Sequence, residues 1–206
     1  GFPSSGNHWS RRADCRDLKS LEAINSPMNS AFSIQHSAIF LVGFMASGKT
    51  TVGAALASKL GRRFVDLDPL IVAKAGCSIA ELIAREGEEH FRQLETEILR
   101  EVATGEAAII APGGGAITRR ENSELMNQFG LTIWLDAPFE LCWQRIQQDP
   151  VVRPLAATED AARERYQQRL PLYQQAAVRV RTTESQTPDD IAEAILLALS
   201  QADRQQ

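Results

Sequence analysis

Residues Gly43 to Thr50 read Gly-Phe-Met-Ala-Ser-Gly-Lys-Thr, which matches G-x-x-x-x-G-K-[ST]. No other feature restricts the possible folds as strongly. A glycine-rich turn of this length aims successive backbone N–H groups at clustered phosphate oxygens. A helix that follows presents its unpaired N–H groups and positive dipole end to the same anions. The pattern therefore needs a buried strand before it and a helix after it. Ala38-Ile39-Phe40-Leu41-Val42 is a short apolar run of the kind found in parallel strands. Thr51 to Leu60 carries Val52, Ala55, Leu56 and Leu60 at helical spacing, and Gly61 is placed to cap the end. On this pattern Lys49 reaches the β/γ-phosphates of a nucleotide and the Thr50 hydroxyl ligates Mg²⁺.

From Ser37 onward, strand and helix patterns alternate. Apolar runs fall at Ala38–Val42, Arg63–Asp66, Ala107–Ala111, Leu131–Leu135 and Val178–Arg181. Helical periodicity fills Pro69–Lys74, Ile79–Ala103, Arg119–Phe129, Pro138–Gln148, Asp160–Gln175 and Asp189–Gln201. The expected fold is α/β, a three-layer sandwich with a five-stranded parallel sheet covered on both faces. Its 206 residues suffice for one such domain, placed at 37–206. Residues 1–36 read as a flexible N-terminal extension, within which Arg11–Ile24 has weak helical character. Residues 1–27 are expected to be dispensable, because they show neither a signal-peptide core nor an acid-poor transit pattern.

Composition excludes several classes of function. Net charge is −4 with no long basic run, so nucleic-acid binding is not expected. The longest apolar stretch, Ala38 to Ala46, is too short to span a bilayer. Cys15, Cys77 and Cys142 form no C-x-x-C pair, as in a reducing, cytoplasmic setting. His8, His36 and His90 have no metal-binding spacing and read as surface residues.

A second layer of motifs narrows the chemistry. Phe64-Val65-Asp66-Leu67-Asp68 places two carboxylates at i and i+2, on one side of an extended strand end. They suit a metal and an acceptor hydroxyl, or a solvated strand end with Asp68 capping a helix before Pro69. Arg92 and Glu95 stand at i, i+3, either as a structural ion pair or as an arginine held to fork onto a substrate carboxylate. Gly113-Gly114-Gly115 follows the third strand, where backbone packs close to a ligand or makes a tight turn. Pro150 and Pro154 bracket Arg153 in a segment that reads as a mobile lid over about 149–160, or as an ordinary surface loop. Arg169 lies two residues before Pro171, which would disturb a helix and turn the arginine inward.

In this order, G-F-M-A-S-G-K-T-T-V-G, F-V-D-L-D, G-E-E-H-F-R-Q-L-E, G-G-G, V-R-P-L and R-L-P-L-Y resemble the shikimate kinase family. The resemblance covers about residues 37 to 200. It implies a small P-loop kinase with a lid, usually monomeric. Such an enzyme passes the γ-phosphate of ATP to the 3-hydroxyl of shikimate on the route to chorismate and aromatic amino acids. It further implies that Gly43, Ala46, Ser47, Gly48, Lys49, Thr50 and Thr51 hold the nucleotide, with Arg145 beside the adenine and Pro188 marking the loop on its other side. Asp68 becomes the general base, with Thr50 and Asp66 supporting Mg²⁺. Arg92, Gly113, Gly114, Gly115 and Arg169 hold shikimate, with Glu95 orienting Arg92. Lys49 and Arg153 neutralise the moving phosphoryl group.

Two residues depart from the family pattern. Ala46 stands where glycine is common, so ordinary dihedrals and a slightly shifted loop are expected there. Pro112 replaces a frequent Thr or Ser and removes a hydroxyl and an N–H. The rival readings are a gluconate kinase of the same fold and a non-catalytic binding protein. The first would not need both arginines with Asp-x-Asp and the triple glycine; the second should have lost one of Lys49, Asp68, Arg92 and Arg169.

Overall fold

The computed structural model describes residues 21–23, 38–150 and 154–203. In chain order the principal elements are β1 (Leu21–Ala23), β2 (Ala38–Val42), α1 (Lys49–Leu60), β3 (Arg63–Asp66), α2 (Leu67–Ala75), α3 (Ile79–Ala103) and β4 (Ala108–Ala111). They continue with α4 (Arg120–Phe129), β5 (Gly130–Asp136), α5 (Phe139–Gln148), α6 (Glu159–Tyr173), β6 (Val178–Arg181) and α7 (Pro188–Asp203). Short 3₁₀ turns occupy Ala116–Thr118 and Pro154–Ala156.

The strands form one sheet in the order β1-β6-β5-β2-β4-β3. All pairings from β2 to β6 are parallel, so the expected five-stranded parallel sheet is present. β1 adds an antiparallel strand at the β6 edge, with Leu21 opposite Val180. This corrects the helical reading of Arg11–Ile24 at Leu21–Ala23; the rest of residues 1–36 lies outside the described residues. A three-residue strand has too little length for a periodicity to show in sequence.

Alternation along β2 explains the three layers. Phe40 and Val42 join Leu99, Met126, Trp134 and Tyr173 in the core beneath α3, α4 and α6. Ile39 and Leu41 join Leu56, Ile133 and Ile195 in the core beneath α1 and α7. Among the described residues no helix is long and apolar enough to cross a membrane. Cys142 is buried, with its thiol pushed up to about 11 by burial, and packs as a small inert group. His90 sits on the surface beside Glu86, as expected, while His8, His36 and Cys15 lie outside the described residues.

Local chemistry sets the helix ends. Ser78 and Glu81 form a reciprocal capping box at the start of α3. α3 then breaks at Gly87, whose backbone (φ 88°, ψ 162°) is open only to glycine. An added Cβ there would meet nothing within 4 Å, so dihedral freedom rather than space selects the residue. α2 begins at Leu67, earlier than the expected Pro69, because the Asp66 carboxylate accepts the Asp68 backbone N–H at 3.1 Å and caps the helix.

Gly53 sets how closely α1 lies on the sheet. A Cβ there would overlap the Phe64 ring and lie 3.2 Å from Leu41 Cδ1. Gly53→Ala gains helix propensity of about 1 kcal/mol. Overpacking nevertheless dominates, and a net loss of about 1–2 kcal/mol is expected, read as a lower urea midpoint.

Candidate active site

β2 sits at the centre of the sheet, and the carboxyl ends of β2 and β4 open side by side. Ligands of open α/β sheets bind at such a switch point. Here a cleft of about 440 Å³ is lined by Met45 to Val52, Asp66, Asp68, Ala111 to Gly114, Arg145, Asp149, Gln186, Pro188 and Ile191. The structure thus brings the phosphate loop, the Asp-x-Asp pair, two of the three glycines, Arg145 and Pro188 to one place.

The loop's conformation follows from its residues. Gly43 admits no side chain, since a Cβ would lie 2.8 Å from the Leu135 carbonyl and 2.9 Å from Ser47 Oγ. Gly48 is left-handed (φ 97°) and begins α1 without a side-chain cap. No acidic residue occupies the first turn of α1. Its leading N–H groups and positive dipole end therefore face the cleft uncompensated, which is the arrangement that binds phosphate. Lys49 Nζ folds over the loop and donates to the carbonyls of Gly43 (3.0 Å) and Phe44 (2.8 Å). Thr51 Oγ1 donates to the Gly48 carbonyl at 3.1 Å. The Ser47 hydroxyl is buried and has no hydrogen-bond partner.

The expectation of ordinary dihedrals at Ala46 is overturned. Its φ is 58°, the left-handed region that glycine would enter freely. An alanine there costs about 1–2 kcal/mol. Arg145 Nη1 donates to the Ala46 carbonyl at 3.2 Å and so braces the turn. The loop keeps its shape because its neighbours over-determine it. Pro112 is also accommodated: Ala111, opposite Asp66, is the last residue of β4 paired with β3, so the missing N–H costs no ladder bond there.

Thr50 and Asp66 are adjacent, with Thr50 Oγ1 donating to Asp66 Oδ2 at 2.6 Å. A hydroxyl and a carboxylate at the mouth of a phosphate loop are the oxygen donors that Mg²⁺ takes alongside phosphate and water. Asp66 rather than Asp68 caps α2, so the two carboxylates differ in duty. Asp68 sits in the first turn of the helix instead of on a strand, and lines the cleft opposite Gly113.

The expected substrate clamp forms a buried cluster beside the cleft. Arg92 is 7% exposed; its Nη1 donates to Glu95 Oε2 at 2.8 Å and its Nη2 to Glu88 Oε1 at 3.3 Å. Burial raises the Glu95 pKa, opposed by Arg92. Glu95 Oε1 has no hydrogen-bond partner. Arg169 is 5% exposed on α6 and turned inward as expected, although the helix runs on through Pro171 to Tyr173 rather than being broken by it. Among the described residues no carboxylate lies within ion-pair distance of Arg169. Burial lowers its pKa, and Arg92 adds to that effect, yet a guanidinium stays charged at neutral pH.

The triple glycine is explained by space. A Cβ at Gly113 would strike Glu95 Oε1, and one at Gly114 would lie 3.1 Å from the Met45 N. One at Gly115 would lie 2.5 Å from Arg92 Nη2. The neighbours that exclude a side chain are the protein's own, the Arg92–Glu95 pair and the phosphate loop. The turn reading also holds, since Ala116 N donates to the Gly113 carbonyl at 3.0 Å. Glu88, the second carboxylate on Arg92, was not read as a site residue, although its i, i+4 spacing was the available signal. Arg153 lies outside the described residues, as do residues 151–152 of the expected lid; its later part holds the Pro154–Ala156 turn and the start of α6.

Known proteins place the chain in one family. The family model described as shikimate kinase matches residues 45–200. A shikimate kinase of Synechococcus sp. (strain JA-3-3Ab) is 46% identical over 164 residues, covering 78% of this chain and 86% of the relative. The solved shikimate kinase of Acinetobacter baumannii, in complex with shikimate, superposes with a TM-score of 0.75 at 40% identity, covering 82% of this chain and 96% of that one. A gluconokinase of Sinorhizobium meliloti reaches a TM-score of 0.54 at 15% identity, covering 82% of this chain and 95% of that one, and shares the fold alone. The chain belongs to the shikimate kinase family.

Proposed function

We propose that the cleft performs ATP-dependent phosphorylation of the shikimate 3-hydroxyl with Asp68 as general base, Mg²⁺ held at Thr50 and Asp66, and Arg92 and Arg169 holding the acceptor carboxylate. The enzymatic activity itself, phosphorylation of shikimate by ATP in aromatic amino-acid biosynthesis, comes with family membership. The observation that carries the residue assignment is Arg169, a buried guanidinium with no carboxylate in reach among the described residues. Burying such a charge is costly unless an anion completes it. Glu88 and Glu95 pair with Arg92 and Arg165, which leaves the Arg169 guanidinium beside them with an unmet demand for an anion. An acid with a planar carboxylate satisfies that demand through a bidentate fork.

The uncapped start of α1 receives the phosphates, with Lys49, Gly43, Ala46, Ser47, Gly48 and Thr51 around them and Arg145 and Pro188 toward the base. Mg²⁺, bound at Thr50 and Asp66, would neutralise charge on the phosphates. Asp68 takes the proton of the attacking hydroxyl, and Arg153 approaches from the lid over about 149–160. The catalytic domain spans 37–206 and acts as a monomer, as the resemblance implies. Positioning and charge neutralisation account for most of such a transfer.

The test is ADP release from MgATP with shikimate, with gluconate and with no acceptor. Release with shikimate alone is expected. Release with gluconate alone would overturn the acceptor site while leaving the fold intact. Slow release indifferent to acceptor would favour a binding protein.

A further inference from the structure

Tyr173 belongs to none of the groups assigned above, yet its hydroxyl reaches the acceptor site. It closes α6 and is 1% exposed. Its hydroxyl donates to the Gly114 carbonyl at 2.5 Å. Arg169 stands one turn earlier on the same face of α6, and its charge and the Tyr173 phenol act on each other. A phenol can donate one hydrogen bond while accepting another, so both contacts fit one oxygen. Burial pushes the phenol far above its ordinary range, so it remains a donor at any physiological pH.

The ring is held as firmly as the hydroxyl. It stacks on Trp134 with centroids 6.2 Å apart and planes 22° apart. Trp134 in turn lies beneath the Arg179 guanidinium at 4.8 Å, and Arg179 Nε and Nη2 donate to Asp136 Oδ2 at 2.9 and 2.7 Å. The oxygen that touches Gly114 is thus fixed through contacts with β5 and β6.

We propose that Tyr173 is a positioning residue for the acceptor site: its hydroxyl ties the triple-glycine backbone to Arg169, so that the two halves of the carboxylate site keep one spacing. This rests on the assignment of Gly114 and Arg169 to the acceptor. Gly114 also packs against the phosphate loop, 3.1 Å from a Cβ position to the Met45 N, so the tie sets the acceptor floor relative to the nucleotide. A first-contact group works only as well as its supports hold it.

The test uses the full chain and three variants. Tyr173→Phe keeps the ring, its stacking and its volume and removes the hydroxyl. The KM for shikimate is expected to rise roughly tenfold, as for loss of a hydrogen bond to a charged group, with the KM for ATP unchanged. Placing para-aminophenylalanine at position 173 restores a donor to Gly114 and is expected to give an intermediate shikimate KM. A purely structural role would lower the urea midpoint without separating the two KM values. Should Tyr173→Phe fail to fold, the para-amino variant carries the same readout. An unchanged shikimate KM in the folded variant overturns the proposal. Arg169→Lys is run in parallel: if it raises the shikimate KM and the Tyr173 variants do not, the tie alone is wrong. If Arg169→Lys also leaves that KM unchanged, the acceptor assignment fails with it.

Discussion

Asp68→Asn is expected to lower turnover by roughly 10² or more while nucleotide affinity stays within a factor of about two. Asparagine preserves the size and polarity of the side chain but cannot accept the proton of the attacking hydroxyl. The substitution also leaves α2 intact, because Asp66 caps that helix and the Asp68 contribution to the cap is its backbone N–H. Asp68 lines the cleft across from Gly113, within reach of both the phosphate loop and the glycine backbone. The measurement is kcat and both KM values, with nucleotide binding followed separately by titration. Turnover retained within a factor of about five would remove Asp68 as base and leave positioning as the whole of its contribution.

Arg169→Lys is expected to raise the KM for shikimate by about 10- to 100-fold with a smaller effect on kcat. Lysine keeps the charge but presents a single ammonium in place of a planar fork. The shorter head also withdraws from Tyr173 and leaves space in a site that is 5% exposed. The structure sharpens this expectation in one respect. Arg92 is already engaged by Glu95 and Glu88, whereas Arg169 has no carboxylate in reach among the described residues. Of the two arginines, Arg169 therefore has the larger unmet demand for an anion. Steady-state kinetics over a wide shikimate range decides it, and an unchanged shikimate KM would take Arg169 out of the acceptor site.

Much of the molecule was legible before its fold was known. The five parallel strands lie where short runs predicted them: β2 and β4 are apolar throughout because they are buried on both faces, while β3 and β6, toward the sheet edges, carry charged residues among their apolar ones. The phosphate loop was legible because its chemistry is local: turn, lysine, hydroxyl and helix start lie within eight residues. The helix ends were less so. α2 starts two residues early because Asp66 rather than Asp68 is its cap, and spacing alone left those carboxylates equivalent. Ala46 was read with ordinary dihedrals, since nothing in a linear sequence shows that Arg145, almost a hundred positions away, holds its carbonyl. β1 was missed for the same reason: its partner β6 lies at the other end of the chain.

The sequence by itself determined the fold class, the nucleotide loop and the set of side chains from which an acceptor site can be built. Those properties depend on residue type and short-range spacing, which a one-dimensional pattern records. The tertiary structure decided how those side chains divide the work. It set Arg92 in a pair with Glu95 and Glu88 and left Arg169 beside Tyr173 with no carboxylate in reach among the described residues, and it pressed each of the three glycines against a different neighbour. It also brought the Tyr173 hydroxyl to the Gly114 carbonyl across 59 positions of chain. Charge balance and contact in a buried site depend on three-dimensional distance, and only the packed sheet and helices supply it.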